Sequence, residues 1–285
     1  MIRFGIIADD LTGALDTGVQ FSKQGLQTVV VLDGELPKGV DVLVTDTESR
    51  SDPPNEAYEK VRKASRRFER VPIYKKIDST LRGNVGPELE AIMDELGFEK
   101  AVVAPAFPSN GRTTVQGRQL VHGLPLKETS LAEDPLCPDM DYIPALLSQQ
   151  VKRNVAHVNL GVVDRGPTTL AYEIGSRSEE ILVIDATRES HLSSIAQAVY
   201  LLGDKCLACG SAGLAQELPG AFCFRGKNLK RREDGRRDFP VLVVAGSRHQ
   251  ATIEQLREAE RELGAQVVEP EIALLLDEEK RSAEI

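Results

Sequence analysis

Two adjacent carboxylates, Asp9 and Asp10, directly follow the apolar run at residues 2–8. Open α/β sheets bind ligands outside the carboxyl ends of their strands, often beside helix N-termini. Carboxylates at such a position can hold a substrate hydroxyl, act as a general base or bind Mg²⁺ through water. The alternative is structural, with Asp10 or Thr12 capping the helix that follows. A cap explains one polar residue and not two acids followed by Thr-Gly, so the pattern favours a functional role.

A dense group of charged and polar side chains lies in the run Lys75–Asn84, where another apolar strand is predicted to end. Its hydrogen-bonding side chains include those of Lys76, Asp78, Ser79, Arg82 and Asn84. Such a group suits a carboxylate or phosphate, because an arginine fork binds either anion with two hydrogen bonds. Asp78 can accept a hydrogen bond from a sugar-like hydroxyl. The alternative is a solvated turn with ordinary surface charges, but the strand end and Gly83 favour a ligand-binding loop.

Two further loops carry weaker signals. Arg50 ends the run Thr45–Arg50 and would lie on the same rim as these groups if the sheet is parallel, although a surface arginine is the default interpretation. The loop at residues 104–114 is stiffened by prolines and can turn at Gly111. Loop rigidity and ligand contact are both compatible with that composition.

Two Gly-Ser turns follow late predicted strands, at residues 210–213 and at Gly246 and Ser247. Each can present backbone N–H groups at a helix start, where phosphates bind. Neither matches a Walker loop or a dinucleotide fingerprint, and close strand–helix packing explains the first turn equally well. Cys206 and Cys209 have CxxC spacing, but they lie on a predicted buried strand without a second pair. They are therefore interpreted as core residues, and no metal-ligating residue is predicted.

The elements that must position these groups alternate along the chain. Apolar runs predict strands at Ile2–Ala8, Thr28–Leu32, Val40–Thr45, Ile73–Ile77, Lys100–Ala104, Ile181–Asp185, Cys206–Cys209, Val241–Ala245 and Gln266–Val268. Amphipathic spacing predicts helices at Pro87–Leu96, around residues 192–199 and at Thr252–Leu263. In the first of these, Glu88 complements the positive helix start. Continuous apolar strands indicate an α/β fold with a mostly parallel sheet flanked by helices. The segment Phe107–Asp139 is predicted to be a long functional loop or lid.

Composition limits the function classes. The chain has 285 residues and a formal net charge of −9, which argues against a nucleic-acid partner. No apolar run approaches the roughly 18–20 residues that span a bilayer, so no membrane partner is predicted. Four cysteines form no disulfide framework, which favours a reducing cytoplasm. The charge-dense stretch 224–239 is predicted to be a linker between a domain at 1–223 and a partial domain at 240–285.

The order of these segments resembles the four-carbon acid sugar kinases. The matching elements are Ala8–Ala14, Thr47–Arg50, Lys75–Asn84, Ala104–Gly117, Gly123–Leu126, Thr129, Asp134-Pro135, Gly210–Ala215 and Ala245–Thr252. Members of that family phosphorylate acids such as threonate, erythronate or their 3-oxo relatives with ATP and Mg²⁺. The resemblance implies a sugar-acid-binding N-terminal domain and the start of a second, incomplete α/β nucleotide-binding domain.

The resemblance also implies roles for particular residues. Asp10, Asp9 and Lys76 are expected to be catalytic. Substrate-binding roles are expected for Thr12, Arg50, Asp78, Ser79, Arg82, Gly83 and Asn84. Gly246 and Ser247 are expected to begin the nucleotide site.

Family members continue well past Ile285, so the chain is expected to be a C-terminally truncated sugar-acid kinase, which transfers the γ-phosphoryl group of ATP to a hydroxyl of the acid. The incomplete ATP domain leaves open whether this chain is active alone. The alternatives are a non-catalytic sugar-acid-binding remnant and one half of a split kinase, completed by a second chain at the ATP site. An oligomer is compatible with each of these expectations.

Overall fold

The computed structural model of the chain describes residues 2–32, 38–69, 71–224, 226, 241–246 and 250–269. The chain divides into an N-terminal unit, Met1–Leu229, and a C-terminal unit, Lys230–Ile285. In the described residues the strands are β1 (Phe4–Ala8), β2 (Thr28–Val31), β3 (Val42–Asp46), β4 (Ile73–Lys76), β5 (Lys100–Ala104), β6 (Arg112–Val115), β7 (Arg118–Val121), β8 (Leu124–Pro125), β9 (Val155–Val158), β10 (Ile181–Ile184) and β11 (Cys206–Gly210). The α-helices are α1 (Leu11–Ser22), α2 (Pro54–Ser65), α3 (Val85–Leu96), α4 (Ile143–Gln150), α5 (Leu160–Val163), α6 (Pro167–Ser176), α7 (Glu189–Leu202), α8 (Ala212–Ala221) and α9 (Gln250–Leu263).

Eight strands of the N-terminal unit form one parallel sheet in the order β2-β3-β1-β4-β11-β5-β10-β9. Strands β1, β3, β4, β10 and β11 are buried along their whole length. Parallel strands need this burial on both faces because their crossover helices cover both sides of the sheet. The predicted α/β fold with a mostly parallel sheet is confirmed.

The two faces of the sheet have separate cores. Phe4, Ile6 and Ala8 pack with residues of α1, α6, α7 and α8. Ile7 and Leu43 pack with residues of α2, α3 and α4 on the other face. Successive side chains of a strand point to opposite faces, so β1 contributes to both cores. The helices that follow neighbouring strands pack on opposite faces of the sheet. The loops that lead to those helices therefore run in opposite directions, which matters for the site.

The helix predicted at Pro87–Leu96 begins two residues earlier, at Val85. Proline is tolerated throughout the first turn, where backbone N–H groups have no partner within the helix. The end is at the predicted residue, because Gly97 adopts a left-handed conformation with φ of 73° and its N–H donates to the Met93 carbonyl.

The segment Phe107–Asp139, predicted to be a long functional loop or lid, contains regular structure that the sequence did not indicate. This segment forms a three-stranded antiparallel sheet of β6, β7 and β8, together with short 3₁₀ turns. The β6–β7 turn places Gln116 and Gly117 at φ of 51° and 72°, as a tight hairpin turn requires. Few apolar residues mark these strands, and two of their buried residues, Thr114 and Gln119, are polar and hydrogen-bonded to each other at 2.8 Å.

In the C-terminal unit, the predicted helix is formed as α9, whereas the strands predicted at Val241–Ala245 and Gln266–Val268 are not formed. A strand needs a neighbour for its backbone hydrogen bonds, and the described part of this unit contains none. Within the described ranges of the chain, the helices all fall short of the length and apolar character that crossing a membrane requires.

Candidate functional site

The carboxyl ends of five central strands lie level with one another. Ala8 is in register with both Asp46 and Lys76, and Gly210 is in register with both Lys76 and Ala104. The chain then leaves β1 and β11 toward α1 and α8 on one face, and leaves β3 and β4 toward α2 and α3 on the other. Diverging connections open a crevice at this edge, which is where open α/β sheets bind ligands.

A cleft of about 250 Å³ occupies this crevice. Its walls are formed by Asp10, Thr12, Gly13, Asp16, Arg50, Lys76, Asp78, Ser79, Arg82, Phe107, Asn110, Ser211 and Ala212. A cleft of this volume suits a small polar molecule. A second depression, of about 430 Å³, lies along α2 and is lined by both acidic and basic side chains. None of its lining residues lies at the end of a strand.

Arg50 joins the two predicted acids. Its guanidinium donates from Nε and Nη2 to Asp9 Oδ2 and Oδ1, at 2.7 and 3.0 Å, and from Nη1 to Asp10 Oδ2, at 2.6 Å. Burial alone would raise the pKa of the Asp9 carboxyl, but Lys75 and Arg50 lower that pKa below its usual value. Asp9 is therefore held as a carboxylate at the end of β1.

Asp10 combines the two roles that the sequence left open. Its Oδ1 accepts a hydrogen bond from the Gly13 backbone N–H at 2.8 Å, which caps α1. Its Oδ2 accepts from Arg50 and its carboxylate lines the cleft. Capping and participation in the site are thus compatible, because a carboxylate has several acceptor positions.

Lys76 differs from the other cations of the cleft. Its side chain is 5% exposed and makes no hydrogen bond or ion pair with any residue that the structure describes. Burial lowers the pKa of its ammonium below the usual value, although Asp9, Asp78 and Asp10 raise it in part. A Cβ atom on Gly13 would lie 2.7 Å from Lys76 Nζ, so glycine leaves the space that the ammonium occupies. The ammonium thus lies beside the first turn of α1.

Two helix N-termini face the same cleft. Thr12 and Gly13 belong to the first turn of α1, and Ser211 and Ala212 begin α8. The partial positive charge of each helix start favours an anion. Together with the Lys76 ammonium, they make this part of the cleft suited to a carboxylate.

The loop after β4 is fixed by a second ion-pair group. Arg82 donates from Nε and Nη2 to Asp78, at 2.8 and 3.1 Å, and from Nη1 to Asp134, at 2.9 Å. Burial would raise the pKa of Asp78, but Arg82 holds it well below the usual value. Leu81, inside this loop, has a φ of 63°, which is uncommon for a residue with a side chain. The loop conformation is therefore imposed by its contacts.

Gly83 and Asn84 support the loop that carries Arg50. Asn84 Nδ2 donates to the carbonyls of Ser49 and Asp52, at 2.9 Å each. Gly83 has a φ of 89°, and a Cβ there would lie 2.9 Å from Arg50 Cγ. Neither residue lines the cleft, so the substrate contacts predicted for them stay a prediction while the structure shows them packed against the Arg50 loop.

Acid sensitivity is expected from the Asp78–Arg82 pair. Because the folded-state pKa of Asp78 is lowered, the pair stabilises the fold above about pH 4, and that contribution is lost as pH falls through the lowered pKa. Asp78→Asn is expected to reduce the free energy of unfolding by about 1–3 kcal/mol at pH 7, with a smaller deficit below pH 4. Urea unfolding across this pH range measures the effect. Asp204→Asn, at an exposed aspartate, is the control, and equal pH dependence in the two variants would contradict the expectation.

The family described as "Sugar-binding N-terminal domain" matches residues 4–218, which contain the whole cleft. The chain belongs to this family. It is 40% identical over 281 residues to a D-threonate kinase of Salmonella typhimurium, covering 96% of this chain and 64% of that protein. It is 35% identical over 295 residues to a D-erythronate kinase of Heliobacterium modesticaldum, covering 98% and 65%.

A solved structure extends the likeness to three dimensions. A Bordetella bronchiseptica protein, crystallised as a domain-swapped dimer with bound citrate, matches with a TM-score of 0.70 and 34% identity. The match covers 99% of this chain and 70% of that one. The chain spans slightly less than two thirds of the length of the two kinases above. The resemblance to four-carbon acid sugar kinases is confirmed by these relatives.

In this sugar-binding family member, the structure brings most of the predicted site residues to one cleft. Those that line it are Asp10, Thr12, Arg50, Lys76, Asp78, Ser79 and Arg82. Asp9 lies behind them, bound to Arg50. Gly246 is exposed in the C-terminal unit, and Ser247 lies outside the described residues. Asp10 and Arg82, which follow different strands and are both predicted to act on the substrate, share the cleft.

The carboxylates at the edge of the sheet do not by themselves form a preassembled Mg²⁺ site. No group of three or more His, Cys, Asp or Glu residues in the described part of the chain could hold a metal ion. All four carboxylate oxygens of Asp9 and Asp10 accept hydrogen bonds from Arg50 or Gly13. Their donor set is one that binds guanidinium, and no protein step is assigned to a metal.

Packing explains the other motifs. Cys206 and Cys209 lie in the cores on opposite faces of the sheet, and burial raises the pKa of each thiol to about 12. They cannot share a metal ion, which confirms their interpretation as core residues. A Cβ on Gly210 would lie 2.4 Å from the Ala104 carbonyl oxygen, and one on Gly213 would lie 2.6 Å from that of Ala106. Close approach of the backbone of β5 and of the loop after it therefore accounts for both glycines.

The sequence assigned no specific role to several residues of the site, although some of them lie in segments that it singled out. Asn110, Ser211 and Ala212 line the cleft, and Asp134 binds Arg82. Gln119, on the hairpin, donates to the Ser79 carbonyl at 2.7 Å. The Gly-Ser turn at residues 210–213 was a usable signal for Ser211, since it follows a strand of the parallel sheet. The contact of Asp134 with Arg82 had no local signal, because 52 residues separate the two.

Proposed function

We propose that the N-terminal unit binds a four-carbon sugar acid in the cleft, as the acceptor site of an ATP-dependent kinase. The reaction would transfer the γ-phosphoryl group of ATP to a hydroxyl of threonate, erythronate or a 3-oxo-tetronate. The observation that carries the proposal is the buried Lys76 ammonium, which has no partner in the described residues and lies where two helices begin. A cation placed in this way suits an incoming carboxylate. The names of the kinase relatives support the same substrate class.

The remaining groups of the cleft suit the hydroxyls of such an acid. Asp78, Ser79 and Asn110 offer acceptors and donors around the space in front of Lys76. Asp10 is the better candidate for general base, because it lines the cleft, whereas Asp9 is 2% exposed and held by both Asp9–Arg50 hydrogen bonds. In this proposal Asp10 takes the proton of the attacking hydroxyl. Phosphoryl transfer otherwise needs positioning and charge stabilisation.

The proposed division of labour follows the two units. Residues 1–223 would bind the acid, 224–239 would form a linker, and 240–285 would belong to the nucleotide-binding part that begins near Gly246 and Ser247. ATP is the proposed phosphoryl donor. Under the enzyme hypothesis, this chain alone phosphorylates the acid. Under the second hypothesis, the chain is a sugar-acid-binding protein or one half of a split kinase, and it binds the acid without turnover.

Calorimetry and an ADP-release assay test the proposal together. D-Threonate, D-erythronate and a 3-oxo-tetronate are titrated into the chain, with the four-carbon polyol threitol as a matched ligand without a carboxylate. We expect at least one acid to bind and threitol not to bind. ADP release with ATP and the binding acid would establish a kinase, and binding alone would favour the second hypothesis. No binding by any of the acids would refute the assigned substrate class.

Arg82→Ala is expected to abolish measurable binding of a threonate-type acid while the fold is retained. The substitution removes the cation that neutralises Asp78 and holds the loop, so the Asp78 carboxylate would repel an anionic ligand. A loss of at least about 100-fold is expected, or about 3 kcal/mol. Circular dichroism checks the fold and calorimetry the affinity. Arg118→Ala, which removes an exposed Arg–Asp pair, is the control; unchanged affinity in Arg82→Ala would remove this loop from the site.

A further inference from the structure

A buried ion pair lies behind the cleft and takes no part in the contacts assigned so far. Lys75 and Glu88 are 0% and 1% exposed at their side chains, and Lys75 Nζ lies 2.6 Å from Glu88 Oε2. Lys75 and Lys76 are neighbours on β4, so their side chains point to opposite faces of the sheet. Lys76 faces the start of α1, whereas Lys75 faces α3, which carries Glu88.

This pair is expensive to bury. Removing two charges from water costs several kcal/mol for each ion, and apolar residues of similar volume often stabilise a fold equally well or better. Stability alone therefore gives a weak reason for Lys and Glu at these positions. The contacts that each partner makes beyond the pair suggest another reason.

Each partner holds the backbone or side chain of a segment that carries a cleft cation. Lys75 Nζ donates to the Lys76 carbonyl at 2.8 Å, and so binds the peptide unit from which the Lys76 side chain extends. The other oxygen of Glu88, Oε1, accepts from Ser49 Oγ at 2.5 Å. Ser49 directly precedes Arg50, and the N–H groups of both residues donate to the Asp9 carbonyl, at 3.0 and 3.2 Å.

We propose that the Lys75–Glu88 pair is a positioning element of the sugar-acid site, which fixes the Lys76 and Arg50 segments relative to each other before the ligand arrives. The inference rests on the proposed function, because it assigns the pair a role in acid binding. Side chains that are already fixed before binding lose less conformational entropy when the ligand arrives. A displacement of such a group by about 1 Å can reduce the rate or affinity of a site by about 100-fold.

The direct test replaces both partners, so that neither charge is left alone in the core. Lys75→Met/Glu88→Leu is expected to unfold at an equal or higher urea concentration than the wild type, yet to bind D-threonate or D-erythronate roughly 10- to 100-fold more weakly. The matched control is Lys205→Met/Glu99→Leu, which removes an exposed Lys–Glu pair from the opposite edge of the sheet and is expected to leave affinity unchanged. Unchanged affinity in the buried double variant would overturn the inference.

A pH profile separates positioning from simple loss of structure. Asp9 is influenced by charges from several elements, namely Lys75, Lys76, Arg50, Asp10, Asp46 and Glu88. Lys75 is one of the charges that lower the pKa of Asp9, together with Arg50. In the buried double variant, affinity is therefore expected to be lost on acidification at a higher pH than in the wild type. An unshifted acid limit would contradict the role of the pair in holding Asp9 and Arg50.

Ser49→Ala keeps the ion pair and removes only its link to the Arg50 loop. We expect it to fold and to bind the acid several-fold more weakly, so it decides the question if the double variant does not fold. Normal affinity in Ser49→Ala would then overturn the inference. If the wild type binds none of the acids, the proposed function fails first. If the wild type binds and all variants match it, only the positioning role fails.

Discussion

Lys76→Met is expected to lower affinity for the proposed sugar-acid ligand on the order of 100-fold, or about 3 kcal/mol. Methionine keeps the length and apolar character of the lysine stem and removes only the ammonium. In the wild type that ammonium is buried without a partner in the described residues, and it is the group placed to meet the ligand carboxylate. Calorimetry with D-threonate or D-erythronate measures the loss.

Folding stability is expected to change in the opposite direction. Because the folded-state pKa of Lys76 is lowered, its charged form destabilises the native state at neutral pH, and this penalty is relieved as pH rises through the lowered pKa. Lys76→Met should therefore be more stable than the wild type near pH 7, with a smaller difference at high pH. Lys23→Met, at the exposed far end of α1, is the control. Normal affinity in Lys76→Met would exclude Lys76 as the carboxylate anchor.

Arg50→Met is expected to give the largest loss of stability among these variants, about 3–5 kcal/mol at pH 7. It leaves Asp9 and Asp10 as adjacent carboxylates, one of them buried, without the guanidinium that binds three of their four oxygens. The pKa of Asp9 rises once Arg50 is removed. The deficit should shrink as pH falls, because protonation of Asp9 removes an unpaired buried charge.

Urea unfolding of Arg50→Met at several pH values measures this effect. Arg66→Met is the matched control: Arg66 is 56% exposed and pairs with Glu95 at the surface, so its loss should cost about 1 kcal/mol or less. If Arg50→Met lowers the free energy of unfolding as little as the control does, Asp9 and Asp10 do not need Arg50 to be accommodated in the fold. A deficit that grows on acidification would contradict the assigned charge states.

The sheet and the position of the site could be predicted because both depend on local patterns. Strands β1 and β5 are short apolar runs, and the rule that ligands bind beyond the carboxyl ends of parallel strands brought Asp10 and Arg82 to one edge. The antiparallel hairpin was missed, since β6 and β7 contain mostly polar residues. Its turn is formed by Gln116 and Gly117 rather than by the common Asn-Gly pair.

The pairing of charges could not be predicted from the sequence. Substrate-binding roles are predicted for Arg50 and Arg82, and the structure pairs both with carboxylates of the chain itself, whereas Lys76 has no such partner in the described residues. Glu88 was interpreted as a favourable charge at a helix start, whereas it forms the buried pair with Lys75. Which cation meets which anion depends on the register of neighbouring strands, and no spacing along one segment contains that information.

The strand order has a consequence for how the protein is made. Strand β11 lies between β4 and β5, although about 100 residues of sequence separate it from β5. During synthesis, β4 and β5 leave the ribosome long before their shared neighbour and expose unpaired edges until it arrives. The crevice, which includes Ser211 and Ala212, exists only after that late insertion. If the cleft binds the proposed ligand, a nascent chain is therefore unable to recruit it as a folding aid until nearly the whole N-terminal unit has emerged.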